Sequence, residues 1–180
     1  MKTELKIKSL LFGLSLVTVG YANAQTTTEI QTPTTTQSQA VNPQIDALKQ
    51  KIATNPQDTQ SLVALATEYQ NAQDYTSAIA TWNQVTTIIP DWAPAYYSIG
   101  YANQSAKNNE GAKAAYDQYI AKVKPEEVEA NKQNLAYAYF FIAFVDKDTN
   151  PEKAKQYIAK SLQYDSTNQD ALNLSKSLMN

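Results

Sequence analysis

The chain has 180 residues, a formal net charge of −2, and neither cysteine nor histidine. Those two absences remove thiol nucleophiles, Ser/His and Cys/His pairs, disulfides and the preferred ligands of soft transition metals. Every one of the 15 basic residues is lysine; without the planar guanidinium fork, and with a mildly acidic chain, nucleic acid is not an expected partner.

Taken in chain order, Met1 to Ala24 carries Lys2, Lys6 and Lys8, then an apolar run from Leu10 to about Val19, then Ala22-Asn23-Ala24. A basic start, a short apolar segment and small residues two apart read as a secretory signal cut after Ala24, so the chain is expected to be exported, periplasmic or secreted. About a dozen apolar residues fall short of the roughly 20 that a spanning helix needs, so no stable membrane insertion is expected after cleavage. Losing those three lysines together with Glu4 would leave the remainder at about −4. Residues 25–42 are rich in Thr and Gln, include Pro33, and have too few apolar side chains to bury a face; they read as a disordered linker.

Residues 43–180 read as one all-helical domain. Ile45, Leu48 and Ile52 make an apolar stripe ahead of Asn55-Pro56, predicting a flanking helix. A pattern then recurs. Leu62, Leu65, Ala66 and Tyr69 fit one helix face, and Ala78, Trp82 and Val85 fit the next. The heptapeptide Ala95-Tyr96-Tyr97-Ser98-Ile99-Gly100-Tyr101 returns as Ala138-Tyr139-Phe140-Phe141-Ile142-Ala143-Phe144. Ala66 and Gly100 are 34 residues apart, as are Ala78 and Ala112. A fixed period of this size predicts stacked helical hairpins in place of a single closed core. The small residues pair up as Ala66 with Ala78, Gly100 with Ala112 and Ala143 with Ala154, which would let two antiparallel helices approach closely. Pro90 and Pro125 are read as helix ends. Trp82 and Tyr116 are assigned to the core; Trp92, after Pro90-Asp91, is either a staple or an exposed contact. Repeats are placed at about 59–92, 93–126 and 127–167, with a capping helix at 168–180, Ser166-Thr167-Asn168 as its cap region and Lys176 and Asn173 on its polar outer face.

These repeats resemble the tetratricopeptide repeat. Its pattern of aromatic, Leu, small residue, Tyr, then Ala, aromatic and Pro is matched by Leu62, Leu65, Ala66, Tyr69, Ala78, Trp82 and Pro90. The second copy reads Tyr96, Ile99, Gly100, Ala112, Tyr116 and Pro125, with Asn103 where Tyr is expected. The third reads Tyr139, Ile142, Ala143 and Ala154, with Ile158 in place of the aromatic and Ser166 in place of Pro; its spacing suggests a turn one residue short and a first helix longer at the front. The resemblance implies a right-handed superhelical stack of antiparallel hairpins, an α-solenoid of about three repeats plus flanking helices. In such a stack the first helix of each pair lines the concave side. That places Val63, Thr67 and Gln70, then Tyr97, Tyr101 and Gln104, then Phe140 and Phe144 along a groove, the aromatics as contacts and the glutamines as polar rims.

Little else suggests chemistry. Asp146-Lys147-Asp148-Thr149-Asn150 begins like a calcium loop, but Pro151 stands where Gly is required and Tyr157 where a bidentate Glu is required, so it reads as a turn with capping carboxylates. Glu126, Glu127 and Glu129 read as a solvated first helical turn. No catalytic residue, metal ligand or cofactor is assigned. The expected function is a non-enzymatic scaffold for a protein or peptide; a glycan or small-ligand binder using the same aromatics, and a self-assembling structural protein, are the alternatives.

Overall fold

A computed structural model describes residues 42–179. The expected signal segment, residues 25–41 of the expected linker, and Asn180 lie outside the described residues. Asn42, assigned from sequence to the linker, instead caps the first helix: its side chain accepts a hydrogen bond from the Gln44 amide at 3.0 Å. Among the described residues there are eight α-helices and no strand: α1 (Pro43–Thr54), α2 (Thr59–Asn71), α3 (Tyr75–Ile88), α4 (Ala93–Ser105), α5 (Asn109–Lys122), α6 (Lys132–Asp146), α7 (Pro151–Tyr164) and α8 (Gln169–Met179). Each packs chiefly on its neighbours in sequence, which makes the domain an α-solenoid of three hairpins, α2/α3, α4/α5 and α6/α7, flanked by α1 and α8.

The starts of the helices are written locally. Asp58, Asp74, Asn108 and Asn150 each accept a bond from the backbone amide three residues on, satisfying a donor that the first helical turn leaves orphaned. Pro43, Pro94 and Pro151 stand in first turns, where a missing N–H costs nothing. The connections α2–α3 and α4–α5 repeat in backbone detail as well. Gln73 and Lys107, 34 residues apart, are both left-handed, with φ 60° and 62°, the conformation in which a helix commonly terminates.

The third hairpin departs from the first two for a reason the spacing concealed. Its turn is not shorter: residues 147–150 connect α6 to α7, against three residues in each earlier turn. The shorter repeat arises because α6 ends at Asp146, the position equivalent to Tyr69 and Asn103, whereas α2 and α4 run two residues beyond theirs. Nor do Glu126, Glu127 and Glu129 open α6. They belong to a one-turn 3-10 helix (Pro125–Glu127) and its exit, and Glu127 reaches back to the Lys124 amide at 3.3 Å.

Three apolar clusters follow one another along the stack. The first joins Leu62, Ala66, Ala78, Trp82, Val85 and Ile99. The second centres on Tyr116, Tyr119, Leu135, Phe141 and Ile142. The third holds Ala143, Ala154, Ile158, Ala171 and Leu174. Trp92 belongs with the first: half-buried at the N-cap of α4, its ring lies 6.2 Å from that of Trp82 on α3, a packing contact between hairpins that matches neither of its two sequence readings. On α8, Lys176 stands where α2, α4 and α6 have Ala66, Gly100 and Ala143, and it is exposed.

Gly100 shows how tight the hairpin seam is. A Cβ at this position would lie 2.6 Å from Cε1 of Tyr116, whose ring is fully buried. Gly100→Ala gains about 1 kcal/mol of helix propensity but must displace a ring with no free side. Overpacking of about 1–3 kcal/mol less that gain leaves an expected net loss of up to about 2 kcal/mol, measured by denaturant unfolding against the parent chain.

Candidate functional site

The side chains projecting from α2, α4 and α6 on the face away from α3, α5 and α7 do not form a uniform surface. On α2, Val63 is half-buried against the first cluster and the Thr67 hydroxyl donates to the Val63 carbonyl at 2.8 Å. The Gln70 amide oxygen accepts from the Trp82 indole N–H at 2.6 Å. One repeat later Gln104 occupies the same position, and its amide oxygen accepts from the Tyr116 hydroxyl at 3.1 Å. Its amide nitrogen also donates to the Tyr137 hydroxyl on α6 at 2.6 Å. Read from sequence as polar rims, both glutamines thus have their amides engaged inside the protein, each tying a first helix to the large aromatic on the helix that follows.

The aromatics divide likewise. Tyr97 is turned into the stack, 5.4 Å from Tyr116 and 5.1 Å from Tyr119, ring centre to ring centre. Tyr116 in turn meets Phe141 edge-on at 5.3 Å. Phe140 is half-buried, packed against the third cluster and 6.2 Å from Tyr137. Only Tyr101 and Phe144, 40% and 46% exposed, present large apolar surface to solvent from α4 and α6. Tyr137 was missed by the sequence reading; it lies three residues before Phe140, and helical spacing alone puts it on the same side. The structure therefore brings Phe140 and Phe144 together, at 6.3 Å, and separates Tyr97 from Tyr101 in exposure.

Beyond Phe144 an open groove runs between α6 and α8, lined by Phe140, Phe144, Lys147, Asp170, Asn173 and Leu174. Its chemistry is mixed: an apolar floor of Phe140, Phe144 and Leu174, edged by Lys147, Asp170 and Asn173. α4 carries no charged residue. Lys147 pairs with Asp148 at 2.7 Å, and its Nζ also sits 5.5 Å from the centre of the Phe144 ring. Among the described residues no group of three or more Asp, Glu, His or Cys could hold a metal ion, and no helix is long and apolar enough to cross a membrane.

A second polar cluster lies away from this face. Asp146, read from sequence as a capping carboxylate, is 2% exposed and forms an ion pair with Lys113 of α5. Lys153 of α7 stands between the carboxylates of Asp117 and Asp146, at 3.7 and 3.8 Å. The Asp146 carboxylate beside it holds the Lys113 ammonium above its ordinary pKa. Two lysines balance two aspartates here, so the cluster joins α5, α6 and α7 and offers no unbalanced charge to a ligand.

No protein-family model matches the chain, and no curated protein matches it. Solved structures do. The C-terminal part of a TPR repeat-containing protein from Cytophaga hutchinsonii superposes with a TM-score of 0.64 at 22% identity, over 72% of this chain and 52% of that one. This chain thus spans about half of that structure. MamA superposes with a TM-score of 0.56 at 19% identity, over 75% of this chain and 84% of that one. The first TPR of Spaghetti, bound to the HSP90 peptide SRMEEVD, gives 0.54 at 17% identity, over 68% and 91%. The fold is that of the tetratricopeptide repeat. In tetratricopeptide terms the Tyr signature position is filled by Tyr69, then Asn103, then Asp146. At the latter two a hydrogen-bonded amide and an ion pair replace the phenol. Asn103 donates to the Ile99 carbonyl and accepts from the Asn108 amide.

The tetratricopeptide seam around Gln104 yields a specific expectation. Gln104→Ala strands the buried Tyr116 hydroxyl and removes the bond to Tyr137, and should cost about 1–3 kcal/mol. Adding Tyr116→Phe should recover part of that loss, because the stranded hydroxyl is gone; a double-mutant cycle in denaturant measures the coupling.

Burial raises the phenol pKa of Tyr97, Tyr116 and Tyr119 well above the ordinary 10. In the unfolded chain the same phenols ionise near 10, so above that pH the unfolded state releases protons that the folded state keeps. The stabilisation is complete below about pH 10 and is lost as pH rises beyond it. An alkaline titration should show the last tyrosinate absorbance appearing together with loss of helical circular dichroism.

Proposed function

We propose that this chain is a non-enzymatic scaffold, exported to the periplasm or secreted, that holds a protein or peptide partner along the concave side formed by α2, α4, α6 and α8. The observation that carries the reading is two exposed aromatics on successive first helices, Tyr101 on α4 and Phe144 on α6, the latter lining an open groove, in a chain without histidine or cysteine. The fold it shares with a domain bound to a peptide is consistent with that use. Export rests on the basic, apolar and small-residue order of residues 1–24.

The combined variant Tyr101→Ala/Phe144→Ala tests the reading, because exposed rings add little to the core yet often dominate an interface. Crosslinking capture from the envelope fraction of the source cell should fall about tenfold or more, while the melting temperature stays within a few degrees of the parent. Equal capture by parent and variant, or recovery of the chain only in the cytoplasmic fraction, would overturn the corresponding half of the reading.

A further inference from the structure

We propose that Tyr139 on α6 and Tyr164 on α7 form an oxidative cross-linking site: a one-electron oxidant couples the two phenols through their ortho carbons as dityrosine, tying the two helices together covalently. The site lies within the third hairpin and needs no partner on the concave side.

Composition supports it first. The chain has 12 tyrosines and no cysteine or histidine. An oxidant therefore meets no thiol, the side chain that ordinarily reacts first, and electrons come from the rings instead. Met179, 77% exposed, takes up oxygen as its sulfoxide and forms no cross-link. Trp82 and Trp92 belong to the first cluster, whereas Tyr139 and Tyr164 pack against the second.

Geometry supports it second. Tyr139 and Tyr164 are both half-buried, so each keeps part of its ring open to solvent. Their rings are stacked, 5.8 Å between centres and 18° between planes. Near-parallel, offset rings lay the edge of one over the edge of the other, the approach that a carbon–carbon bond between two phenols needs. The other close tyrosine pairs among the described residues differ. Tyr97 and Tyr119, Tyr116 and Tyr137, and Tyr139 and Tyr157 meet edge-on, and Tyr97 and Tyr116 are tilted by 60°. In an edge-on pair the hydrogens of one ring point at the face of the other. The Tyr157 hydroxyl donates to Asp117 at 3.3 Å, which holds that ring in its edge-on place. The step balances as follows. Each phenol gives one electron to the oxidant and its hydroxyl proton to solvent, leaving two phenoxyl radicals. These pair as one bond between ortho carbons, and the hydrogen on each of those carbons moves to the oxygen of its own ring. Two electrons and two protons leave in all.

The test is photo-oxidation of the dilute full chain by a ruthenium tris-bipyridyl complex with persulfate, which withdraws single electrons without having to dock. Dityrosine fluorescence is expected in the monomer. Cleavage at lysine should then release peptides 133–147 and 161–176 joined at Tyr139 and Tyr164, lighter by two hydrogens than their sum. Tyr164→Phe keeps the ring and should abolish that joined pair, whereas Tyr157→Phe should leave it in place. Cross-links in the monomer that map chiefly to other tyrosines, dityrosine confined to dimers, or oxidation confined to Trp82, Trp92 and Met179 would each overturn the inference. So would an unchanged yield of the joined pair in Tyr164→Phe. The scaffold reading is untouched by any of these results.

Discussion

The close approach of paired helices is the constraint on which the rest of this structure depends. Ala66 and Ala78 share the first cluster, Ala143 and Ala154 the third, and Gly100 admits the Tyr116 ring beside the buried Ala112. Where the side chains are small the axes come together and leave room for a large ring beside them: Tyr116 lies against Gly100 and donates to Gln104, and Trp82 donates to Gln70, while Tyr101 and Phe144 are left to solvent. A bulky residue in the seam would push the two helices apart and lose both sets of contacts at once, which is why small residues here do more than fill space. The three apolar clusters are the outcome, each shared between neighbouring elements and none spanning the whole stack.

Within this frame the aromatic residues have two distinct roles that a helical wheel cannot separate. Tyr97, Tyr116, Tyr119 and Phe141 form one network, edge-to-face at Tyr97–Tyr119 and Tyr116–Phe141 and tilted at Tyr97–Tyr116, and ring quadrupoles favour the edge-to-face contacts. Tyr101 and Phe144 belong to the same repeats and the same helices, yet face outward. The dividing line is one helical turn, from Tyr97 to Tyr101 and from Phe140 to Phe144: Tyr97 is covered by Tyr116 and Tyr119, and Phe140 by Tyr137 and the third cluster. The exposed pair is therefore held on a rigid, aromatic-backed base, and ordering it on contact with a partner costs little conformational entropy.

Much of the fold was legible in the sequence because its signals are local and recur. The apolar periods, the Asp and Asn caps and the duplicated heptapeptide each specify a helix or its start without reference to distant residues. What was not legible depends on pairs brought together by packing. Gln70 and Gln104 look like solvated rims until Trp82 and Tyr116, each 12 residues on, turn their polar atoms back toward them. Asp146 looks like a turn residue until Lys113, 33 residues earlier, is placed against it. The third turn was misjudged because spacing between signature residues counts residues without saying whether helix or loop has lost them. At the candidate site the residue types were readable, but exposure was not: what separates Tyr97 from Tyr101 is the contact of Tyr97 with Tyr116 and Tyr119, which exists only once α5 is packed on α4.

The buried pair of Lys113 and Asp146 has a consequence for how the hairpins are aligned. Apolar faces made of Ala, Ile and Phe slide past one another at small cost, since one methyl group can replace another. A buried carboxylate cannot slide: moved by one residue or one turn, Asp146 would leave its ammonium and face hydrocarbon, at a penalty of several kcal/mol. The ion pair between α5 and α6 thus acts as an indexing pin between the second and third hairpins. It fixes their relative rotation, and with it the distance between Tyr101 on one and Phe144 on the other. A surface assembled from separate repeats has a reproducible shape only if such pins exist, and here the pin is buried among α5, α6 and α7, two residues along the chain from the exposed Phe144.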